Sequence, residues 1–433
     1  GVSAGTPLTL CNPANSADIV GTAEFASIDQ VSMAFVGATP NWAPLSERTA
    51  LLRRGADRLQ SRLPEFVGLM MREAGKTAAN GIAEVREAID FLRYYTDQAG
   101  LLPERSRPLG TIVCISPWNF PLAIFTGQIA AALAAGNAVL AKPAEETPLT
   151  AAAMVGLLHD VGVPRGALQF LPGAGDIGAA LCAHASVDGV VFTGSTEVAR
   201  TIQRKLAERG DIPLIAETGG INAMIVDSSA LTEQVVNDVL SSAFDSAGQR
   251  CSALRLLCIQ DDVADRIIQM LKGAMTELRI GNPAELRTDI GPVITAEAKD
   301  RINLHIEAMR SAGHPVTQAR LAANTGTFVP PTIVEIDRID QLTREVFGPV
   351  LHVVRYARED LDRTIDAVNA LGFGLTFGLH TRIDETIDHV SARISAGNIY
   401  VNRNMIGAVV GVQPFGGQGL SGTGPKAGGP LYV

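Results

Sequence analysis

Thr111-Ile112-Val113-Cys114-Ile115 is the stretch that decides the fold. It is an uncharged, largely β-branched run with no polar alternation, so it reads as a strand buried on both faces. Downstream, Leu122 to Ala135 reads as a helix rich in small residues, and Ala138 to Ala141 as a second strand. Pro148 to Val161 continues as a helix. Leu168–Leu171, Gly189–Thr193 and Leu214–Ala216 are further strands with helical stretches between them. Such alternation predicts a parallel sheet with helices on both faces.

A second series follows. Ala223–Val226, Leu254–Ile259, Val350–Tyr356, Leu375–His380 and Asn398–Val401 read as strands. The helices between them are Leu231–Ser246, Val263–Leu278, Asp360–Ala370 and Ile383–Ile394. The expected architecture is therefore α/β, with two domains that divide near Gly220 and carry mostly parallel sheets. The Gly-rich tail from Gly416 to Gly429 has no helical period.

Bulk properties narrow the function. A chain of 433 residues has room for two or more cores. Its 36 basic and 45 acidic residues give a net charge of −9, with no long basic run, which argues against nucleic acid as the main partner. Cys11, Cys114, Cys182, Cys251 and Cys258 are odd in number and lack C-x-x-C spacing, so a reducing compartment without disulfides or zinc is expected. The most apolar helix meets Gly136-Asn137 well before the ~20 residues needed to span a bilayer. The chain opens at Gly1 without a Met, as an excised domain would.

Three short runs carry chemistry. Ala247-Gly248-Gln249-Arg250-Cys251-Ser252 supplies a thiol beside Gly and Arg. Ala216-Glu217-Thr218-Gly219-Gly220 places a carboxylate at a strand end, where ligands bind in open α/β sheets. Its paired glycines admit close approach of another group. Ser116-Pro117-Trp118-Asn119-Phe120-Pro121 holds an amide donor between prolines. Nucleophile, base and oxyanion donor suit covalent chemistry on a carbonyl. Each residue alone also has a plainer reading: a structural cysteine, a capping glutamate and a turn asparagine. Cys258, within Leu256-Leu257-Cys258-Ile259, reads as core.

Weaker signals surround these runs. Gly173-Ala174-Gly175-Asp176-Ile177-Gly178 formally matches G-x-G-x-x-G but follows two earlier strands, so it reads as a tight turn. Phe192-Thr193-Gly194-Ser195-Thr196 leads into a helix whose first amides suit either a phosphate or an ordinary N-cap. Lys142-Pro143-Ala144-Glu145 ends a strand with an ammonium and a carboxylate, which suits a sugar or a surface ion pair.

In their order, these runs resemble the signatures of the aldehyde dehydrogenase superfamily, from Asn12-Pro13-Ala14 to Pro414-Phe415-Gly416-Gly417. The nearer resemblance is to Δ1-pyrroline-5-carboxylate dehydrogenases and to that domain of bifunctional proline utilization A proteins. It rests on Cys114 through Gly127, on Asp245 through Arg255, and on Tyr400-Val401-Asn402-Arg403-Asn404-Met405 leading into Gly407-Ala408-Val409-Val410-Gly411. The resemblance implies a Rossmann-like NAD domain over 1–219, a catalytic domain over 220–419 and a truncated Gly-rich segment over 420–433.

The resemblance also implies roles. Cys251 is the nucleophile, Asn119 and the Cys251 N–H form the oxyanion hole, and Glu217 activates the deacylating water. Lys142 and Glu145 hold the adenine ribose of NAD, and Ser195 the pyrophosphate. Glu345 and Phe347 position the nicotinamide ribose, with Ser116, Trp118 and Gly175 also on the cofactor. Ser252, Gly407 and Ala408 anchor the substrate α-carboxylate, and Phe415 lines the pocket.

The implied reaction is NAD-dependent oxidation of L-glutamate γ-semialdehyde to L-glutamate in the bacterial cytoplasm. The implied assembly is a homodimer or larger, fused to or paired with a proline dehydrogenase domain. Two other readings stand beside it: a dehydrogenase for another short aldehyde, and a silent fold that serves as a binding protein. Three features depart from the family pattern: Ala199 where Gly is common, Ile221 where a polar residue is usual, and a short Ala207–Asp211 stretch. The Gln98–Pro108 link is also short for a long oligomerisation hairpin.

Overall fold

The computed structural model describes residues 7–321 and 325–433, so Gly1 lies outside them. The chain divides into two compact units. One comprises Gly1–Glu217, Ala408–Phe415 and Thr423–Val433; the other comprises Thr218–Gly407 and Gly416–Gly422.

The first unit opens with an antiparallel hairpin, β1 (Pro7–Asn12) and β2 (Asn15–Glu24). Four helices follow: α1 (Ile28–Gly37), α2 (Leu45–Ser61), α3 (Leu63–Glu73) and α4 (Ala78–Gly100). The starts of α1 and α4 are chemically marked. Ser27 forms a capping box with Gln30, and Thr77 accepts from the Asn80 N–H. Strands and helices then alternate as β3 (Thr111–Ile115), α5 (Ala123–Ala135), β4 (Ala138–Lys142), α6 (Pro148–Asp160) and β5 (Leu168–Phe170). The series closes with α7 (Gly175–Ala183), β6 (Gly189–Gly194), α8 (Thr196–Ala207) and β7 (Leu214–Thr218).

The five-stranded sheet has the order β5-β4-β3-β6-β7. Every residue of β3 and β4 is buried, because helices cover both faces. From β3 the chain steps outward through β4 to β5, then returns to the other side of β3 with β6. The strand order reverses there, and in open α/β sheets the crevice beyond the carboxyl ends at such a point is where ligands bind.

The second unit contains β8 (Asn222–Val226), α9 (Thr232–Phe244), β9 (Leu254–Gln260), α10 (Asp261–Met275), α11 (Ala296–Ser311), β10 (Val316–Gln318) and β11 (Thr332–Glu335). It continues with β12 (Val350–Tyr356), α12 (Leu361–Ala370), β13 (Phe373–Gly374), β14 (Thr376–His380), α13 (Asp384–Arg393), β15 (Asn398–Val401) and β16 (Gln418–Gly419). The seven-stranded sheet runs β10-β11-β12-β9-β8-β14-β15, parallel except for β10.

Both sheets and most of their strands follow the sequence reading. The β1–β2 hairpin, α1 to α4, α11, β10 and β11 were not expected, and one expected element ends early. The helix expected to reach Ser246 stops at Phe244, because Ser246 and Ala247 take φ of 55° and 54°, outside helical space.

Candidate active site

In the first unit the expected residues sit just beyond the carboxyl ends of adjacent strands. Ser116, Trp118 and Asn119 follow β3, and Ser116 N–H donates to the Lys142 carbonyl at the end of β4 (3.1 Å). Asn119 is buried. Its loop is held from α4 by Glu84, whose Oε1 accepts from the N–H groups of Leu122 (2.8 Å) and Ala123 (3.2 Å) where α5 begins. A carboxylate there also suits the positive end of the helix dipole. Lys76 Nζ lies 3.3 Å from Glu84 Oε2 and 4.2 Å from the Phe120 ring centroid. The buried Lys76–Glu84 pair thus fixes the loop that carries Asn119, although neither residue stands out in sequence.

Lys142 is buried. Its Nζ donates to the carbonyls of Pro143 (2.8 Å) and Gly173 (2.5 Å) and lies 3.9 Å from Glu145 Oε2. Burial lowers its pKa, opposed by Glu145, Glu146 and Asp176. The alternative of a surface ion pair fails for Lys142, since only Glu145 is exposed. Gly175 begins α7, and a β-carbon on Gly173 would lie 2.4 Å from Ile177 Cγ1, so this glycine serves the tight turn. Ser195 caps α8 by accepting from the Val198 N–H (3.3 Å). Glu217 lies near the carboxyl end of β7 and is buried.

In the second unit the thiol rides on a turn between α9 and β9. Left-handed backbone at Ser246 and Ala247 costs about 1–3 kcal/mol each, so the surroundings must impose it. Gln249 Nε2 donates to the carbonyls of Ser246 and Pro292 (both 3.2 Å), and its Oε1 accepts from Ile294 N–H (2.9 Å). Arg250 pairs with Asp245 at 2.6 Å. Asn222 pins the far side: its Nδ2 donates to the carbonyls of Cys251 (2.6 Å) and Ala253 (2.9 Å), and its Oδ1 accepts from Thr376 N–H (3.2 Å).

Cys251 is half-buried, whereas Cys114, Cys182 and Cys258 are buried. Burial pushes the Cys182 thiol up to about 12, and those of Cys114 and Cys258 higher still. Those three stay protonated and inert at neutral pH. Cys251 alone of the four lies near a buried cation. The Arg255 guanidinium, whose pKa burial lowers, is within electrostatic reach of both Glu345 and Cys251.

Glu345 and Phe347 lie beside this turn. Arg255 Nη2 donates to Glu345 Oε1 (3.1 Å), and its guanidinium lies 5.2 Å from the Phe347 ring centroid. A β-carbon on Gly219 would lie 2.0 Å from Glu345 Oε2. The close approach expected at the paired glycines is therefore made by Glu345. At Gly220 it is made by Ser421, whose Oγ would be 3.0 Å from such a β-carbon. Ser252 is buried, and its carbonyl accepts from Thr376 Oγ1 (3.2 Å). Gly407 takes φ +76°, and its carbonyl accepts from the Tyr400 hydroxyl (3.0 Å). Ala408 follows it, half-buried, and Phe415 pairs with Ala427 in a short antiparallel bridge. Arg255 and Asn222 are the residues that sequence reasoning missed here.

Among the described residues, no cluster of three or more His, Cys, Asp or Glu could hold a metal ion. No described helix is long and apolar enough to cross a membrane.

The aldehyde dehydrogenase family model matches residues 2–433. The bifunctional protein PutA of Klebsiella aerogenes is 60% identical over 453 residues, which cover 100% of this chain and 34% of that protein. The chain thus spans 34% of the length of that relative. The 1-pyrroline-5-carboxylate dehydrogenase of Geobacillus thermodenitrificans is 36% identical over 454 residues, covering 98% of this chain and 88% of that protein. A solved structure of Thermus thermophilus 1-pyrroline-5-carboxylate dehydrogenase superposes with a TM-score of 0.92 at 33% identity, covering 100% of this chain and 88% of that one.

Proposed function

The chain belongs to the aldehyde dehydrogenase family, whose members generally use NAD or NADP, and from that premise we propose that it oxidises L-glutamate γ-semialdehyde to L-glutamate with NAD. The observation that carries this reading is the thiol turn. Cys251 is half-buried on a backbone held in a costly conformation, beside a buried guanidinium, while Cys114, Cys182 and Cys258 are buried deep. The semialdehyde is favoured over other aldehydes by the match to 1-pyrroline-5-carboxylate dehydrogenases and PutA proteins.

The cofactor reading fits the first unit. The strand order reverses at β3, the buried Lys142 ammonium stands one strand away, and Ser195 stands at the α8 N-terminus, whose helix dipole favours an anion. Lys142 and Glu145 would hold the adenine ribose, Ser195 the pyrophosphate, and Glu345 and Phe347 the nicotinamide ribose, with Ser116, Trp118 and Gly175 lining the path. The acidic Glu145 repels a 2′-phosphate, which favours NAD over NADP.

In this reading the Cys251 thiolate attacks the aldehyde carbon. The oxyanion is stabilised by Asn119 and the Cys251 N–H, and one such donor typically lowers the barrier by about 2.7–4 kcal/mol. NAD, when bound, would supply the acceptor for the hydride lost from this carbon. Cys251 then carries a thioester, and Glu217 takes a proton from the water that hydrolyses it. A positioned base for water favours hydrolysis over transfer to coenzyme A. Ser252, Gly407 and Ala408 would bind the α-carboxylate, and Phe415 would cover the aliphatic stem. Division near Gly220 into an NAD-binding and a catalytic part follows from the same roles.

The bacterial sources of the relatives support a reading of the reaction as bacterial and cytoplasmic. The match to part of a bifunctional protein supports a fused or paired proline dehydrogenase, and a homodimer or larger assembly remains part of the proposal.

NADH formation with L-glutamate γ-semialdehyde, run beside propanal and succinate semialdehyde, tests the reading. Preference for the glutamate compound supports it. Turnover of the others alone would keep the dehydrogenase and discard the substrate.

A further inference from the structure

Arg255 is buried to 2% exposure and is among the largest fully enclosed side chains. Enclosing a guanidinium is expensive, and a buried ion pair is weak evidence for stability alone. Its acceptors are informative. Nη1 donates to the Gly348 carbonyl (2.9 Å), and Nη2 donates to the Arg250 carbonyl (3.1 Å) and to Glu345 Oε1 (3.1 Å). The guanidinium carbon lies over the Phe347 ring, 5.2 Å from its centroid. Nε makes no hydrogen bond. One rigid fork therefore joins the peptide just before the nucleophile to the 345–348 turn.

We propose that Arg255 is a positioning residue that sets the nicotinamide-ribose holders Glu345 and Phe347 in register with the Cys251 turn. The proposal rests on the cofactor reading above. Arg255 is enclosed in the protein interior, and its hydrogen bonds go to Gly348, Arg250 and Glu345. Two features make the coupling direct. The Gly348 carbonyl that receives Nη1 also lies against Gly248, which precedes the thiol by three residues. Glu345 is confined from the opposite side by Gly219, where no β-carbon fits while the carboxylate stays in place. Lysine cannot replace this fork, because a compact ammonium does not reproduce two guanidinium nitrogens that reach three separate acceptors.

The test uses Arg255→Lys, Arg255→Met and Glu345→Gln in the full chain. NAD affinity is measured by calorimetry on folded protein, and Cys251 alkylation by iodoacetamide is timed without cofactor. Both Arg255 variants should bind NAD about tenfold more weakly, the scale of one lost charged hydrogen bond. Both should also change the alkylation rate several-fold, and KM for NAD should rise more than kcat falls. Arg255→Met combined with Glu345→Gln should lose no more affinity than the worse single variant, because the two act as one unit. If Arg255→Met does not fold, Arg255→Lys carries the test, since it keeps the buried charge. Unchanged NAD affinity and alkylation in folded Arg255 variants, with normal wild-type binding, would overturn this proposal alone. A wild-type chain that binds no NAD would overturn both it and the cofactor reading.

Discussion

Gly248 packs against the backbone carbonyl of Gly348: a β-carbon on Gly248 would lie 2.2 Å from that oxygen, at a φ of +66°. The Cys251 turn and the 345–348 turn therefore touch backbone to backbone, and only glycine allows it. Gly248→Ala should destabilise the protein by about 1–3 kcal/mol through the left-handed backbone alone, with the clash adding to it. Urea unfolding checks this. A midpoint equal to wild type would mean that the two turns separate freely.

The same turn predicts thiol selectivity. Iodoacetamide should label Cys251 and the exposed Cys11 in the native protein, while Cys114, Cys182 and Cys258 react only after unfolding. Peptide mapping reads this directly. Native labelling of Cys182 ahead of Cys251 would contradict the environment assigned to each. Cys251→Ser should abolish oxidation yet keep NAD binding, whereas Cys11→Ser should change neither.

Asn222 meets two carbonyls and one N–H with the two ends of its amide. Asn222→Ala leaves these buried groups unmet, at about 1–3 kcal/mol for each unsatisfied partner. Asn222→Asp should be worse still, because it turns a carboxylate oxygen toward the Cys251 and Ala253 carbonyls. The expected order of melting temperatures is wild type, then Ala, then Asp. An Asp variant as stable as wild type would show that the pin does not matter.

Acid should weaken the second unit through two histidines. Burial lowers His380 to about 4 and His352 to about 3, the latter helped by His305. Each folded pKa lies below the ordinary histidine value of about 6.5, so the unfolded chain binds more protons between those limits. The contribution to stability is full above pH ~6.5 and falls as the pH drops toward ~4, by about 1 kcal/mol per pH unit for each group. Glu73, raised to about 7 chiefly by burial, works in the opposite direction: it favours the folded state at low pH and loses that effect as pH rises toward 7. Chemical unfolding from pH 8 to pH 5 should show a net loss on acidification that His380→Gln reduces. No change in slope for that variant would remove His380 from the account.

Much of this molecule is readable from its sequence, for a physical reason. Within strands buried along their whole length, Ile112–Ile115 and Leu256–Ile259 appear as unbroken apolar runs. The thiol, the strand-end glutamate and the Pro-flanked asparagine are legible because motif order marks them. The hairpin Pro7–Glu24 and helices α1 to α4 gave no comparable signal, since their half-exposed faces mix polar and apolar residues. Ser246 and Ala247 continue a helical pattern and carry no glycine to announce the left-handed turn. Asn222 and Arg255 act through partners far along the chain, Thr376 and Glu345, which no local pattern reveals. Ile221, where a polar residue was expected, is buried, and the polar pin stands one residue later.

The central claim is that the aldehyde is oxidised while bonded to Cys251 and released by water that Glu217 activates. Intact-mass and peptide analysis of Glu217→Gln, after mixing with NAD and L-glutamate γ-semialdehyde, tests it most directly. The account predicts one burst of NADH per active chain and a glutamyl thioester trapped on the Cys251 peptide. Steady turnover without a burst, or an adduct on any other cysteine, would contradict it.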